Sequence, residues 1–221
     1  QQLQEKQLLT INKDTRDKYI SHQQEISKID VIFPVARFSD HTDRVNRVLV
    51  HPDNSTIFSS SHDCTIRIWD VEMGELIMTQ SGHTCPTYGL SLHQDSGILA
   101  CCDLGGNTRL WDIRSGRSLF SVGGHANSVY TCCFSNGMYS HLFATAGADN
   151  TIKIWDMRTR ECLYTSLQHY GHIVDLSFLP NDGSILASAS YDGTIGMFSI
   201  PTLATVFRAQ SHPSHVTRLE W

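Results

Sequence analysis

The fold is decided by the stretch from residue 125 to residue 156, which reads HANSVYTCCFSNGMYSHLFATAGADNTIKIWD. Apolar and polar residues alternate in it and are interrupted by turn-forming Ser-Asn-Gly and Ala-Asp-Asn, which predicts short β-strands. The stretch opens on His125 and closes on the pair Trp155-Asp156. Both ends recur along the chain, and recurrence at a fixed spacing is the primary sign of a repeat architecture.

The repeat has a period of about 42 residues. Trp-Asp pairs occur at 69–70, 111–112 and 155–156, with spacings of 42 and 44 residues. A histidine recurs with nearly the same spacing, at His41, His83, His125, His169 and His212. Four short strands in such a period are typical of one propeller blade. From about residue 31 to residue 221, the sequence therefore resembles the WD40 family.

We predict an all-β fold, an incomplete WD40 β-propeller with about four full four-stranded blades and partial flanking blades. The full blades are 41–82, 83–124, 125–168 and 169–211, and residues 212–221 would form the first strand of another. Residues 15–40 predict a degenerate partial blade with Ile29 in place of the Trp, and residues 1–14 a helix or linker. Seven blades need roughly 294 residues, so a chain of 221 is expected to be a piece of a longer protein.

The composition excludes several classes of function. With 17 basic and 22 acidic residues, the net charge of −5 argues against a broad nucleic-acid-binding surface. No apolar run approaches the length of a membrane span, and the polar start predicts no signal peptide. Seven cysteines without a framework spacing suit a reducing compartment.

The full units contain a His, a hydroxyl, an Asp and a Trp at related positions, with exceptions in two of them. One interpretation is a Ser-His-Asp hydrolase site. A catalytic triad occurs once per site, whereas this set recurs once per blade, so we favour the structural hydrogen-bonded tetrad that the WD40 resemblance also implies. The predicted members are His41, Ser59, Asp63 and Trp69; His83 and Trp111; His125, Thr145, Asp149 and Trp155; and His169, Ser188 and Asp192.

Two blades depart from the pattern. In the second, Gly105 stands at the position of the Asp and Cys101 at that of the hydroxyl, so we expect this blade to be held less firmly. In the fourth, Phe198 replaces the Trp, which removes the indole donor. No phosphate-binding loop, Gly-x-Ser-x-Gly or His-Glu-x-x-His motif is present. The sequence thus predicts no enzyme, no catalytic residue, no cofactor and no metal site.

A protein partner is expected on the narrow face of the propeller. Side-chain alternation directs the residues three and five after each repeat His toward that face. In WD40 relatives these positions, together with the residue before the turn Asp, often contact partners. The candidates are Arg44, Asn46, His62, Tyr88, Leu104, Tyr130, His172 and Tyr191, with His215 and Thr217 in the partial unit. The alternative is that Tyr88 and Tyr130 only pack beside the central channel.

Several phrases resemble one branch of the family, the WD-repeat protein of the spliceosomal U4/U6 small nuclear ribonucleoprotein. They include Pro34-Val35-Ala36 before the first repeat His, the run from Arg109 to Arg117, and Tyr191-Asp192-Gly193-Thr194. The run Cys102-Asp103-Leu104-Gly105 departs from that branch, which usually has Gly-Gly-Leu-Asp there.

This resemblance implies a non-catalytic, nuclear scaffold of the U4/U6 and U4/U6·U5 particles in pre-mRNA splicing. The implied partners are the larger U4/U6 protein and a cyclophilin, with mostly indirect contact to U4/U6 RNA and no membrane or small-molecule substrate. An adaptor of another multiprotein complex, in cilia, microtubule regulation or ubiquitin ligation, remains the alternative.

Overall fold

The computed structural model describes residues 37–93, 95–210 and 212–220. All the elements described below lie within residues 38–221. The predicted segment 1–14 and nearly all of the predicted degenerate blade 15–40 lie outside the described residues.

Sixteen strands form four antiparallel sheets, and within each sheet every strand pairs with its neighbour in sequence. The first sheet contains β1 (Val45–Val50), β2 (Thr56–Ser61), β3 (Ile66–Asp70) and β4 (Leu76–Gln80). The second contains β5 (Thr87–His93), β6 (Ile98–Asp103), β7 (Asn107–Asp112) and β8 (Ser118–Gly123). The third contains β9 (Val129–Phe134), β10 (Leu142–Gly147), β11 (Ile152–Asp156) and β12 (Glu161–Ser166). The fourth contains β13 (Ile173–Phe178), β14 (Ile185–Ser190), β15 (Thr194–Ser199) and β16 (Ala204–Gln210).

Neighbouring sheets contact each other chiefly through their first strands, β1 with β5, β5 with β9 and β9 with β13. The first strand of each sheet is therefore the innermost, as in a propeller blade. The described residues carry no α-helix, and a single 3₁₀ turn, Gly137–Tyr139, connects β9 to β10. The predicted all-β fold of four-stranded propeller blades is confirmed.

Apolar layers between successive sheets hold the blades together. Phe58 and Leu99 belong to the layer between the first and second sheets, Phe143 to the next, and Ile173 and Phe198 to the last. All five side chains are fully buried. Burying such a side chain contributes about 1.5–3 kcal/mol, so face-to-face packing of blades is a large part of the stability.

The two ends of this row of sheets differ from its middle. The residue four after the repeat His is fully buried at Val129 and Ile173, whereas Val45 is 48% exposed. On β16, Val206 and Phe207 are also exposed. In both cases no described sheet packs on that side.

Residues 212–220 form no strand, because they have no ladder partner among the described residues. They nevertheless pack against the fourth sheet: Val216 is buried, and its amide donates to the Ser190 carbonyl at 3.1 Å. The Leu219 amide donates to the Asp175 carboxylate on β13 at 2.9 Å. That this stretch begins a further blade stays a prediction. In the described part of the chain, no helix is long and apolar enough to cross a membrane.

Candidate protein-binding face and the tetrads behind it

Two blades hold a complete chain of hydrogen bonds. In the first, His41 Nδ1 donates to Asp63 at 2.7 Å, and Ser59 Oγ lies 2.7 Å from His41 Nε2. The Trp69 indole donates to the same Ser59 oxygen at 2.8 Å. In the third blade the corresponding distances are 2.8, 2.7 and 2.8 Å, and the members are His125, Asp149, Thr145 and Trp155.

The Ser or Thr hydroxyl of each tetrad connects three parts of its blade. It lies on the second strand of its blade, and it joins the loop before the first strand, through the His, to the third strand, through the Trp. Ser59 is 4% exposed, and Thr145 and Ser188 are fully buried. A nucleophile must reach its substrate. These hydroxyls are enclosed and already accept a hydrogen bond, so the geometry favours the structural interpretation over a hydrolase site.

Burial and hydrogen bonding set the protonation states of His125 and Asp149 in the third-blade tetrad. Burial lowers the pKa of His125, although the adjacent Asp149 carboxylate opposes that shift. Burial by itself would raise the pKa of Asp149, but its interaction with His125 and the hydrogen bonds from the Thr151 amide and hydroxyl outweigh burial and hold that pKa below its usual value. A neutral imidazole with its proton on Nδ1 donates to the carboxylate and accepts from the hydroxyl, which satisfies all these groups.

The carboxylate of the second blade corrects our prediction. Gly105 does not leave the blade without a tetrad Asp, because Asp103 supplies the carboxylate from two positions earlier and lies 2.8 Å from His83 Nδ1. Its other oxygen accepts from the Gly105 and Asn107 amides, each at 3.0 Å. A side chain at 105 would start 2.8 Å from Cys85 Sγ, so the glycine provides room for this arrangement. The available sequence signal was an acidic residue two positions before Gly105, in the run Asp103-Leu104-Gly105-Gly106.

The hydroxyl of the second blade is missing, as the sequence indicates. Cys101 is fully buried at that position. Within the described residues, His83 Nε2 and Trp111 Nε1 are buried without a hydrogen-bond partner. A buried unsatisfied polar group costs about 1–3 kcal/mol. This blade therefore keeps the hydrogen bond between His83 and Asp103 but loses stability at the unpaired imidazole and indole nitrogens.

The fourth blade replaces its lost indole by another route. His169 Nε2 lies 2.7 Å from Ser188 Oγ, and the Gln168 side-chain amide donates to the same oxygen at 3.0 Å. A Cβ at Gly196 would lie 2.5 Å from the Gln168 amide nitrogen, so glycine makes this approach possible. The sequence pattern did not reveal the substitution, because Gln168 lies outside the four repeat positions.

A repeated backbone hydrogen bond brings the predicted narrow-face positions together. In each blade, the residue before the turn Asp position donates its amide to the carbonyl of the residue three after the repeat His. The four pairs are His62 to Arg44, Leu104 to Pro86, Ala148 to Ser128 and Tyr191 to His172, at 2.8–3.0 Å. Residues distant in sequence thus form one surface on the same side of every blade.

Five aromatic rings form a continuous series on this surface, which we call the ring arc. The centroid separations are 5.6 Å for Tyr88–Tyr130, 6.0 Å for Tyr130–His172, 6.2 Å for His172–Tyr191 and 4.6 Å for Tyr191–His215. Tyr191 is 42% exposed. Burial and the neighbouring Tyr88 and Tyr191 raise the pKa of Tyr130.

Polar side chains continue the surface beyond Tyr88. The Arg44 guanidinium donates to His62 Nε2 at 2.6 Å, and the Asn46 amide donates to the Thr87 carbonyl at 2.6 Å. Asn46 therefore connects the first and second blades. Among the predicted residues, Leu104 takes part through its backbone carbonyl, which accepts from the Ser128 hydroxyl at 2.7 Å.

Beneath the ring arc lies a cavity of about 650 Å³, which we call the central cavity. Six residues at predicted narrow-face positions line it, namely Asn46, Tyr88, Tyr130, Val174, Tyr191 and Thr217. Sequence reasoning missed three further lining residues, Arg47, Val48 and Arg218. Arg47 and Arg218 are far apart in sequence, and only the closing together of the inner strands brings them to one cavity.

Comparison with known proteins agrees with this architecture. The family model described as "WD domain, G-beta repeat" matches residues 32–70, 74–112, 116–156 and 160–199. These matches cover well over half of the chain. The chain belongs to the WD40 family, a class of β-propeller scaffolds.

The chain is similar to two proteins named for nuclear distribution. It is 36% identical to nuclear distribution protein PAC1 of Arthroderma benhamiae over 170 residues, 72% of this chain and 36% of that protein. It is 31% identical to nuclear distribution protein nudF of Aspergillus niger over 182 residues, 81% of this chain and 41% of that protein.

A third relative is named for RNA processing. The chain is 30% identical to pre-mRNA-processing factor 19 of Bos taurus over 147 residues, 65% of this chain and 29% of that protein. The chain thus spans less than half the length of each of these three relatives. Their names do not support the U4/U6 resemblance of the sequence phrases.

Proposed function

We propose that this chain is a non-catalytic WD40 scaffold whose narrow face binds a protein partner. The observation that carries the proposal is the ring arc, in which Tyr88, Tyr130, His172, Tyr191 and His215 form one connected surface. Tyrosine is enriched in protein interfaces because it gives a large, rigid contact area with a polar end. The enclosed tetrads supply the rigid support for that surface.

As the biological role, we propose an adaptor of a multiprotein complex that serves nuclear distribution. Similarity to the PAC1 and nudF proteins over 72% and 81% of the chain supports this choice. It corresponds to the adaptor alternative of the sequence analysis, rather than to the U4/U6 scaffold.

The test is partner capture with a double variant, Tyr88→Ala with Tyr130→Ala. We expect the tagged variant to lose the proteins that co-purify with the wild type, since two of the three tyrosine rings of the ring arc are removed. Leu163→Ala is the matched control, because Leu163 is 48% exposed on the outer strand β12, away from the central cavity. Unchanged capture by a folded double variant would contradict the proposed face.

A splicing scaffold is the second candidate, and similarity to pre-mRNA-processing factor 19 favours it. Nuclear localisation and the larger U4/U6 protein and cyclophilin as partners belong to this candidate. RNA that co-purifies with the tagged protein distinguishes the two roles. Enrichment of U4 and U6 RNA would favour splicing, and their absence would remove the U4/U6 assignment.

A further inference from the structure

The central cavity contains more positive than negative charge. Arg47, on β1, and Arg218, in the 212–220 stretch, both line it. The Asp175 carboxylate on β13 already accepts from the Leu219 amide and lies 3.5 Å from the Arg47 guanidinium. Arg218 is exposed and forms no ion pair with any residue that the structure describes. One guanidinium is therefore available for a ligand, and a second is only weakly engaged.

Three tyrosines line the same cavity as the two arginines, namely Tyr88, Tyr130 and Tyr191. A guanidinium binds a carboxylate through two parallel N–H donors, and a tyrosine face accepts another aromatic ring at an offset. The two kinds of group favour a ligand that carries a carboxylate next to an aromatic side chain.

We propose that the central cavity binds an acidic peptide segment of a protein partner, with a carboxylate side chain on Arg47 and Arg218 and an adjacent aromatic side chain on the tyrosines. This inference rests on the proposed function, because it specifies the partner chemistry of the same face. The charge complementarity is local, since the chain as a whole carries a net charge of −5. A local positive potential in a concave site attracts anionic groups more strongly than the same charges on a flat surface.

Other ligands fit the cavity less well. A basic peptide would bring its charges against both guanidiniums. A nucleic acid derives its affinity from many phosphate contacts, which need a dense field of Lys and Arg rather than two guanidiniums. The limited number of cationic groups suits one or two carboxylates of a peptide.

The experiment is selection of phage-displayed random dodecapeptides on the wild-type protein, followed by fluorescence anisotropy with the enriched peptide. We expect Asp or Glu to be enriched beside Tyr, Phe or Trp, and we expect binding to weaken as salt is raised. Arg218→Gln should weaken binding about tenfold, since it removes a charge-assisted, bidentate contact. Arg47→Gln should have a similar effect, and Arg117→Gln, an exposed arginine outside the cavity lining, should have none.

Two outcomes would overturn the inference. One is a selected motif without acidic residues, and the other is full binding of an acidic peptide by Arg218→Gln. Because Arg218 is exposed, its variant tests binding without disturbing the core, and unchanged urea midpoints verify this for both variants. If the arginine variants capture the cellular partner normally while the tyrosine double variant does not, the acidic-peptide inference fails and the proposed function stands.

Discussion

The second and third blades hold the same repeat histidine in different ways. In the third, Thr145 connects His125 to Trp155, so the imidazole and the indole of this tetrad are both paired. In the second, Asp103 still binds His83, but the imidazole Nε2 and the Trp111 indole are buried and unpaired within the part of the chain that the structure describes.

This difference shows that the tetrad carboxylate and the tetrad hydroxyl are not equally tied to their repeat positions. The carboxylate can come from another position in the turn, because a flexible Gly-Gly turn lets Asp103 reach the same imidazole nitrogen. The hydroxyl has a fixed position on the middle strand, between the imidazole and the indole, and a thiol there pairs with neither. The four changes below test this distinction, from the largest expected effect to the smallest.

Asp103→Ala should lower the free energy of unfolding by about 3 kcal/mol, because it leaves the buried His83 and two backbone amides without their acceptor. The measurement is urea denaturation, with Asp95→Ala as the matched control, because Asp95 is an exposed loop residue of the same blade. An effect no larger than that of the control would mean that the second blade has no functioning tetrad carboxylate.

Thr145→Val should lower the free energy of unfolding by about 2 kcal/mol, because it leaves His125 Nε2 and the Trp155 indole unpaired at constant volume. The variant gives the third blade the defect of the second. Thr165→Val makes the same chemical change at an exposed site on β12 and should change the urea midpoint only slightly. Equal midpoints for the two variants would show that the hydroxyl does not connect these parts of the blade.

Cys101→Ser should raise the free energy of unfolding by about 1 kcal/mol, because the new hydroxyl can pair with both His83 Nε2 and the Trp111 indole. Cys132→Ser is the control. Cys132 is also buried, but it lies on β9 and outside the tetrad positions, so a hydroxyl there should destabilise the protein. A loss of stability with Cys101→Ser would mean that the three groups do not meet as in the third blade.

Acidification should weaken the third blade gradually, starting at about pH 6.5. Burial lowers the pKa of His125 in the folded chain, so below the ordinary histidine pKa the unfolded chain binds a proton that the folded chain does not. The free energy of unfolding therefore falls as the pH falls. The depressed pKa of Asp149 keeps its contribution in place until the pH drops below about 4.

NMR of the imidazole nitrogens measures the protonation state of His125 directly. We expect His125 to remain neutral, with its proton on Nδ1, at a pH where histidines of the urea-unfolded chain are already charged. Titration of His125 at or above the unfolded value would contradict the assignment.

Much of this molecule could be predicted because its signals are local. Alternation from Val45 to Val50 and the turn residues His51-Pro52-Asp53-Asn54 predict one strand, and β1 has the same bounds. The members of the first and third tetrads recur at fixed spacing, and the structure brings them together. The prediction failed where a residue substitutes from outside its repeat position, as Asp103 does for the expected turn Asp and Gln168 for the missing indole.

The sequence by itself determined that this is a WD40 propeller chain, because each strand and turn of the repeat is specified by residues that are close together in sequence. It also determined which blades are atypical, since a cysteine or a phenylalanine at a repeat position is visible without a structure. Only the tertiary structure decided how those blades compensate and that Arg47, Arg218 and three tyrosines share one cavity. The physical reason is that the innermost strands bring together residues from distant repeats, and their distances depend on how the blades pack.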